Sequence, residues 1–217
     1  SDLNAVTPLQ SLVLVSESDE GSSARVIPPG LLTGNQSSDL ERYLNVTRAE
    51  ILFARHLVLV EGAAESYLLP AIADAVGFDM DGYGVVLASV DGTDFAPYAR
   101  LLGPKALDRP FVVLTDGDIA DGEVAGNAEP GLQRAKTLLE ITNNDLMQDF
   151  ASQLDAVVAE EWSDEEARPG REELVRDAAD DGIYVGLHTL EVDIAGLFAT
   201  EMIDSFNELS VQIGRAS

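Results

Sequence analysis

Three short apolar runs limit what this chain can fold into: residues 57–60, 84–89 and 111–114. A strand that is apolar at every position has both faces covered, as in a parallel sheet. Segments of helical period separate the runs. Leu68, Ile72 and Val76 recur every fourth residue ahead of Gly77, the stripe of a helix packed on such a sheet and closed by glycine. A second helix is expected over 94–102, with Thr93 as its N-cap. The resulting βαβαβ order specifies an α/β fold with a parallel sheet and right-handed crossovers.

The flanks differ from this centre. Residues 11–15 and 24–27 read as two short strands, and the polar stretch 16–23 between them makes a hairpin. Pro28-Pro29-Gly30 interrupts regular structure, and short helices are expected near 39–43 and 48–54. Residues 122–181 are acidic and helix-rich. They carry apolar stripes that include Leu138, Leu139, Phe150 and Leu154, with Gly122, Gly126, Pro130 and Gly131 at the entry. Two or three helices forming a lid or insertion are expected there, with Trp162 as a packing anchor and 160–166 as a solvated face. A strand over 183–187 and a last helix over 193–206 return to the sheet.

The apolar runs end in acid. Val60 is followed by Glu61-Gly62-Ala63-Ala64-Glu65, Thr115 by Asp116-Gly117-Asp118, and the later strand 183–187 by Glu191 and Asp193. Ligands of open α/β sheets bind at the carboxyl ends of the strands, so these six carboxylates are expected to converge. Such a gathering repels itself unless cations neutralise it, which points to divalent metal. With no cysteine and two histidines, thiolate and three-histidine zinc sites are excluded. Oxygen ligands favour Mg²⁺, Mn²⁺ or Ca²⁺. Gly117 is read as leaving space for a phosphate or metal. Ser89, before Asp91-Gly92, is a candidate for the edge of the site, and His188 reads as a structural hydrogen-bonding residue.

The formal charge of −26, with Lys105 and Lys136 as the only lysines, runs against a free-standing nucleic-acid binder. Either nucleic acid is not the substrate, or the basic surface lies in other parts of the protein. The start, Ser1-Asp2-Leu3-Asn4, lacks an initiator Met and reads as a fragment of a longer protein. No signal peptide or membrane span is evident, and the absence of cysteine fits the cytoplasm.

Glu61-Gly62, followed by Asp116-x-Asp118, resembles the Toprim module of topoisomerases, primases and several nucleases. The longer series Arg42-Tyr43-Leu44-Asn45-Val46-Thr47-Arg48-Ala49-Glu50-Ile51-Leu52-Phe53-Ala54, Leu59-Val60-Glu61-Gly62-x-x-Glu65, Leu69-Pro70 and Thr189-Leu190-Glu191-x-Asp193 resembles the overcoming-lysogenisation-defect (OLD) family of nucleases. The resemblance implies a Toprim-like parallel sheet flanked by helices, over 46–121 and 182–217, with a helical insertion over 122–181. Residues 1–45 would be the end of a preceding ABC-type ATPase domain, where any ATP would bind. The implied function is a metal-dependent DNA endonuclease using two Mg²⁺ or Mn²⁺ ions. Glu61, Glu65, Asp116, Asp118 and Glu191 would be catalytic, with Asp193 joining them as a metal ligand. DNA and the ATPase domain would be partners, with dimerisation through parts outside this chain and no membrane contact. The family also carries a basic residue, usually lysine, further on. No lysine follows Lys136 here, and Arg215 is not assigned that part. Two rivals remain. One is a silent Toprim-like domain for DNA tethering or assembly. The other is an aspartyl-nucleophile phosphatase, which wants a lysine after a later strand and an Asp near the domain start, neither of them found.

Overall fold

A computed structural model describes residues 8–18, 21–46, 50–118, 129–159 and 169–216. Trp162, the acidic run 160–166, Gly122 and Gly126 fall outside the described residues.

The chain opens with an antiparallel hairpin of β1 (Val13–Ser18) and β2 (Gly21–Val26), in which Val13 pairs with Val26 and Ser18 with Gly21. Helices α1 (Gly34–Val46) and α2 (Glu50–Phe53) follow. The main sheet then alternates with helices: β3 (His56–Val60), α3 (Ala63–Ala75), α4 (Met80–Tyr83), β4 (Val85–Ser89), α5 (Ala96–Leu102) and β5 (Phe111–Thr115). Three longer helices, α6 (Pro130–Thr142), α7 (Asn144–Ala159) and α8 (Pro169–Asp180), lead to β6 (Ile183–Val185) and α9 (Leu190–Ala216), which is kinked at Phe198. The four strands are parallel in the order β4-β3-β5-β6. The molecule is thus α/β, a parallel sheet flanked by helices. Among the described residues no helix is long and apolar enough to cross a membrane.

One face of the sheet is sealed. Leu59, Ala88, Val113 and Ile183 are buried with Leu102, Leu132, Leu139, Phe150 and Leu174 in one apolar cluster. Leu9, Ile27 and Leu40 join the same cluster, so the hairpin end and helices α6, α7 and α8 share one core. The other face departs from the expectation of double cover. Ile72 and Val76 of the α3 stripe are 46% and 74% exposed, and the only buried residue of α3 is Glu65. Instead of closing on the strands, α3 borders an apolar groove of about 530 Å³, floored by Val58, Leu87, Val112 and Leu114. The helical period is real, but the sheet has too few described neighbours on that side to bury it.

Two local readings also change. Helix α5 starts at Ala96 with Phe95 at its N-cap and no side-chain cap, so Thr93 does not serve there. The last strand stops at Val185 and the last helix begins at Leu190. Glu191 and Asp193 therefore stand in the first helical turn and not at a strand end.

Candidate active site

Parallel pairing of β3 with β5 sets Val60 against Leu114, so Glu61 emerges beside Thr115 and Asp116. Glu61 turns across the gap: its Oε1 accepts the Asp116 N–H at 2.9 Å and the Thr115 hydroxyl. Glu65, in the first turn of α3, reaches back so that its Oε2 accepts the Gly62 N–H at 2.9 Å. That is the glutamate half of a capping box, and it leaves Glu65 only 5% exposed beside Glu61. Ser89, at the end of neighbouring β4, donates to the Glu61 carbonyl at 3.3 Å and to Asp91 at 2.7 Å.

Asp116 is the focus of the repulsion. Its pKa is pushed up from 3.8 to about 6, first by burial and then by Glu61, with Glu65 and Asp118 adding to it, while a hydrogen bond from the Leu190 N–H opposes them. That bond, 3.0 Å to Asp116 Oδ1, seats the start of α9 on the cluster, where a helix N-terminus favours negative charge.

Gly117 has a different task from the one expected. A Cβ there would lie 2.1 Å from the Leu187 carbonyl and 2.4 Å from that of Gly186. The missing side chain admits the loop after β6, whose His188 carbonyl accepts the Gly117 N–H at 2.9 Å. The space is filled by backbone and not held open for a phosphate. Gly131 makes a second close approach, since its Cβ would meet the Asp116 carbonyl at 2.6 Å. That contact presses the N-terminus of α6 onto the end of β5, with Pro130 at its start as suits a first helical turn.

One turn into α6, Arg134 is the residue that sequence reasoning missed. Its Nε donates to Thr115 Oγ1 at 2.8 Å, and its Nη2 lies 2.8 Å from Asp118 Oδ2 and 3.3 Å from Glu61 Oε1, donating also to the Asp116 carbonyl. A guanidinium therefore neutralises part of the acidic cluster. This corrects the inference that carboxylates gathered here require a metal to stay together. The one available signal was an arginine on the first described helix after the Asp-x-Asp strand.

The structure brings together Glu61, Glu65, Asp116 and Asp118. Glu191 is exposed at the start of α9, and no hydrogen bond or ion pair among the described residues joins it to them. Asp193 faces the other way. It accepts the N–H groups of Leu187 at 3.1 Å and His188 at 3.2 Å, and meets His188 Nδ1 at 2.8 Å. Burial raises its pKa, but hydrogen bonds from the His188 side chain and from the His188 and Leu187 backbone outweigh this and hold it below the usual value. Arg171, also missed, braces the loop from behind. Its Nε meets Glu129 Oε2 at 2.9 Å and its Nη2 donates to the Gly186 carbonyl at 2.8 Å, with both side chains nearly buried. Among the described residues no three His, Asp or Glu side chains surround one point closely enough to hold an ion.

Residues 52–118, which span β3 through Asp118, match the family model for the overcoming lysogenization defect protein-like TOPRIM domain. Over that segment the chain is an OLD-like Toprim domain. It is 34% identical to the C-terminal region of the Burkholderia pseudomallei OLD protein, covering 68% of this chain and 62% of that one, at a TM-score of 0.49. Against the C-terminal region of the Xanthomonas campestris pv. campestris OLD protein the identity is 30%, over 74% of this chain and 64% of that one, again at 0.49. It is also 28% identical over 145 residues to the Escherichia coli (strain K12) protein YbjD, described as uncharacterized, covering 66% of this chain and 24% of that protein. The chain thus spans less than two thirds of each of these relatives.

Proposed function

We propose that this OLD-like Toprim domain cleaves DNA phosphodiester bonds with the help of two divalent cations, Mg²⁺ or Mn²⁺. The observation that carries this reading is the bond from Glu61 across two strand ends to Asp116, whose pKa burial and the Glu61 charge push up to about 6, with Glu65 and Asp118 adding to the repulsion. Desolvated mutual repulsion of this kind marks a site built for function. The donor set suits the ions: its carboxylate oxygens are hard, and a dication relieves the repulsion that holds Asp116 up. Glu61, Asp116 and Asp118 would hold them, with Glu65 fixing the turn; Glu191 would join from the exposed start of α9, and Asp193, which faces His188, only on leaving that partner. Bound there, divalent ions would supply Lewis-acid stabilisation of the charge that develops on a phosphodiester.

The chain's own residues do the rest. Glu61 and Asp116 stand at the sheet edge with their backbone groups tied, which fixes where their carboxylates emerge. The Leu190 N–H holds Asp116 in one orientation. The remaining assignments belong to the same proposal. The division is into a Toprim catalytic domain over 46–121 and 182–217 and a helical insertion over 122–181. Residues 1–45 continue from an ATPase-bearing N-terminal domain. Basic DNA contacts and any dimer interface come from parts outside this chain, and the protein works in the cytoplasm.

The test is plasmid cleavage by the full-length protein with Mn²⁺, beside Glu61→Ala and Asp116→Ala. Loss of cleavage in both variants supports the reading; cleavage at the wild-type rate in either refutes the site. A second reading, a silent domain for assembly or tethering, draws on Arg134, which already neutralises Glu61 and Asp118. It predicts no Mn²⁺ binding and no cleavage by the wild type.

A further inference from the structure

We propose that Arg134 is an internal counter-ion that a divalent cation must displace from Glu61 and Asp118, so that this one residue sets the metal affinity of the site. The inference rests on the metal-dependent reading above. Three observations support it.

First, the guanidinium lies between carboxylates from two different strand ends, 3.3 Å from Glu61 Oε1 and 2.8 Å from Asp118 Oδ2. A dication shared by those oxygens would occupy the same space, because oxygen ligands of Mg²⁺ lie about 2.0–2.1 Å from the ion. The two cations cannot both contact the pair closely.

Second, the facing carboxylate oxygens are already engaged. Glu61 is spent on Thr115, the Asp116 N–H and Arg134, and Asp118 is turned to Arg134. Asp118 sits at φ 55°, in the left-handed region uncommon for residues other than glycine. Removing the guanidinium would free oxygens on both.

Third, the arginine has somewhere to go. Its side chain is only 16% exposed, yet it borders a cavity of about 310 Å³ lined also by Thr93, Asp94, Gln133 and Thr137. The cavity has room for the displaced head group, and Asp94 is an acidic partner on its wall. Metal binding would then change a contact made by α6, which reports the loading of the site to the insertion helices.

The inference distinguishes this residue from an ordinary structural salt bridge. A structural arginine helps the ligands by holding them in place, and its loss weakens metal binding. A competing arginine hinders them, and its loss tightens it. The experiment is Mn²⁺ titration by calorimetry of the wild type, Arg134→Gln and Arg134→Lys, with folding checked by circular dichroism. Arg134→Gln is expected to bind Mn²⁺ about tenfold tighter or more, since one opposing charge at close range is gone. Arg134→Lys, which keeps the charge, is expected to stay near the wild type. Equal or weaker binding by folded Arg134→Gln, with the wild type binding Mn²⁺, overturns the inference and leaves the metal reading intact. No binding by any of the three overturns both.

A measurement on the wild type needs no variant to fold. The Arg134 Nε–H, bonded to Thr115 in the metal-free protein, gives an arginine side-chain NMR signal. Saturating Mg²⁺ is expected to move it and to speed its exchange with water. A signal unchanged under Mg²⁺ that demonstrably binds overturns the inference.

Discussion

Replacing Asp116 with Asn should make the protein more stable at pH 8 while abolishing its proposed activity. Burial and the neighbouring Glu61 push the Asp116 pKa from 3.8 to about 6. The folded state therefore holds this proton more tightly than the unfolded chain does. Between pH 3.8 and about 6, folding stability falls as pH rises, and above that the full penalty of a charged Asp116 is present. Below pH 3.8 the carboxyl is protonated in both states and the penalty vanishes. At about 1.36 kcal/mol per tenfold change in proton affinity, the ceiling is about 3 kcal/mol. Water reaches part of this side chain, and screening reduces the figure to about 1–2 kcal/mol. An asparagine keeps an oxygen to accept the Leu190 N–H and carries no charge. For a chain of this size each kcal/mol is worth roughly 2–4 °C in melting temperature. Thermal melts of wild type and Asp116→Asn without metal, at pH 8 and pH 4, supply the comparison. The variant should melt higher at pH 8, and the gap should close toward pH 4. Comparing the two proteins cancels the self-repulsion of the other acidic groups, which also varies with pH. A variant less stable by the same amount at both pH values refutes the reasoning, because it would mean that Asp116 contributes through contacts and not through strained charge.

Gly117→Ala should destabilise the fold by about 1–3 kcal/mol in urea melts, as overpacking does, because its Cβ would meet the Gly186 and Leu187 carbonyls at 2.4 and 2.1 Å; an unchanged midpoint would contradict that contact. Arg171→Met removes one partner of a nearly buried pair with Glu129, and a loss of about 3 kcal/mol is expected by denaturant titration; a loss under 1 kcal/mol would mean that the pair does not brace the loop. The apolar groove beneath α3 should bind 8-anilinonaphthalene-1-sulfonate in the native state. Val112→Asp, on the groove floor, should abolish the fluorescence without loss of helicity, and equal fluorescence from both proteins would place the dye elsewhere.

The parallel sheet was readable from the sequence because each strand announces itself locally. An unbroken apolar run such as 111–114 marks a strand of a parallel sheet, and the carboxylate that follows it, Asp116, falls at the sheet edge. The placing of Glu61 beside Asp116 also needs the sheet order, in which β3 and β5 are neighbours. The helices were legible by their period, but not the use made of it: Ile72 and Val76 keep the spacing of a packed stripe and remain largely exposed. Arg134, Arg171 and the true task of Gly117 belong to tertiary structure alone. Each depends on which element is pressed against the end of β5, and no local pattern records that α6 and the 186–188 loop arrive there. The same holds for Glu191 and Asp193. They lie three and five residues past His188, and only the folded chain shows that α9 begins at Leu190, turning a backbone N–H toward Asp116 and the Asp193 carboxylate toward His188. Spacing along the chain determines which residues can reach the sheet edge. Packing decides which of them face one another, because a side chain's direction is set by neighbours far away in the sequence.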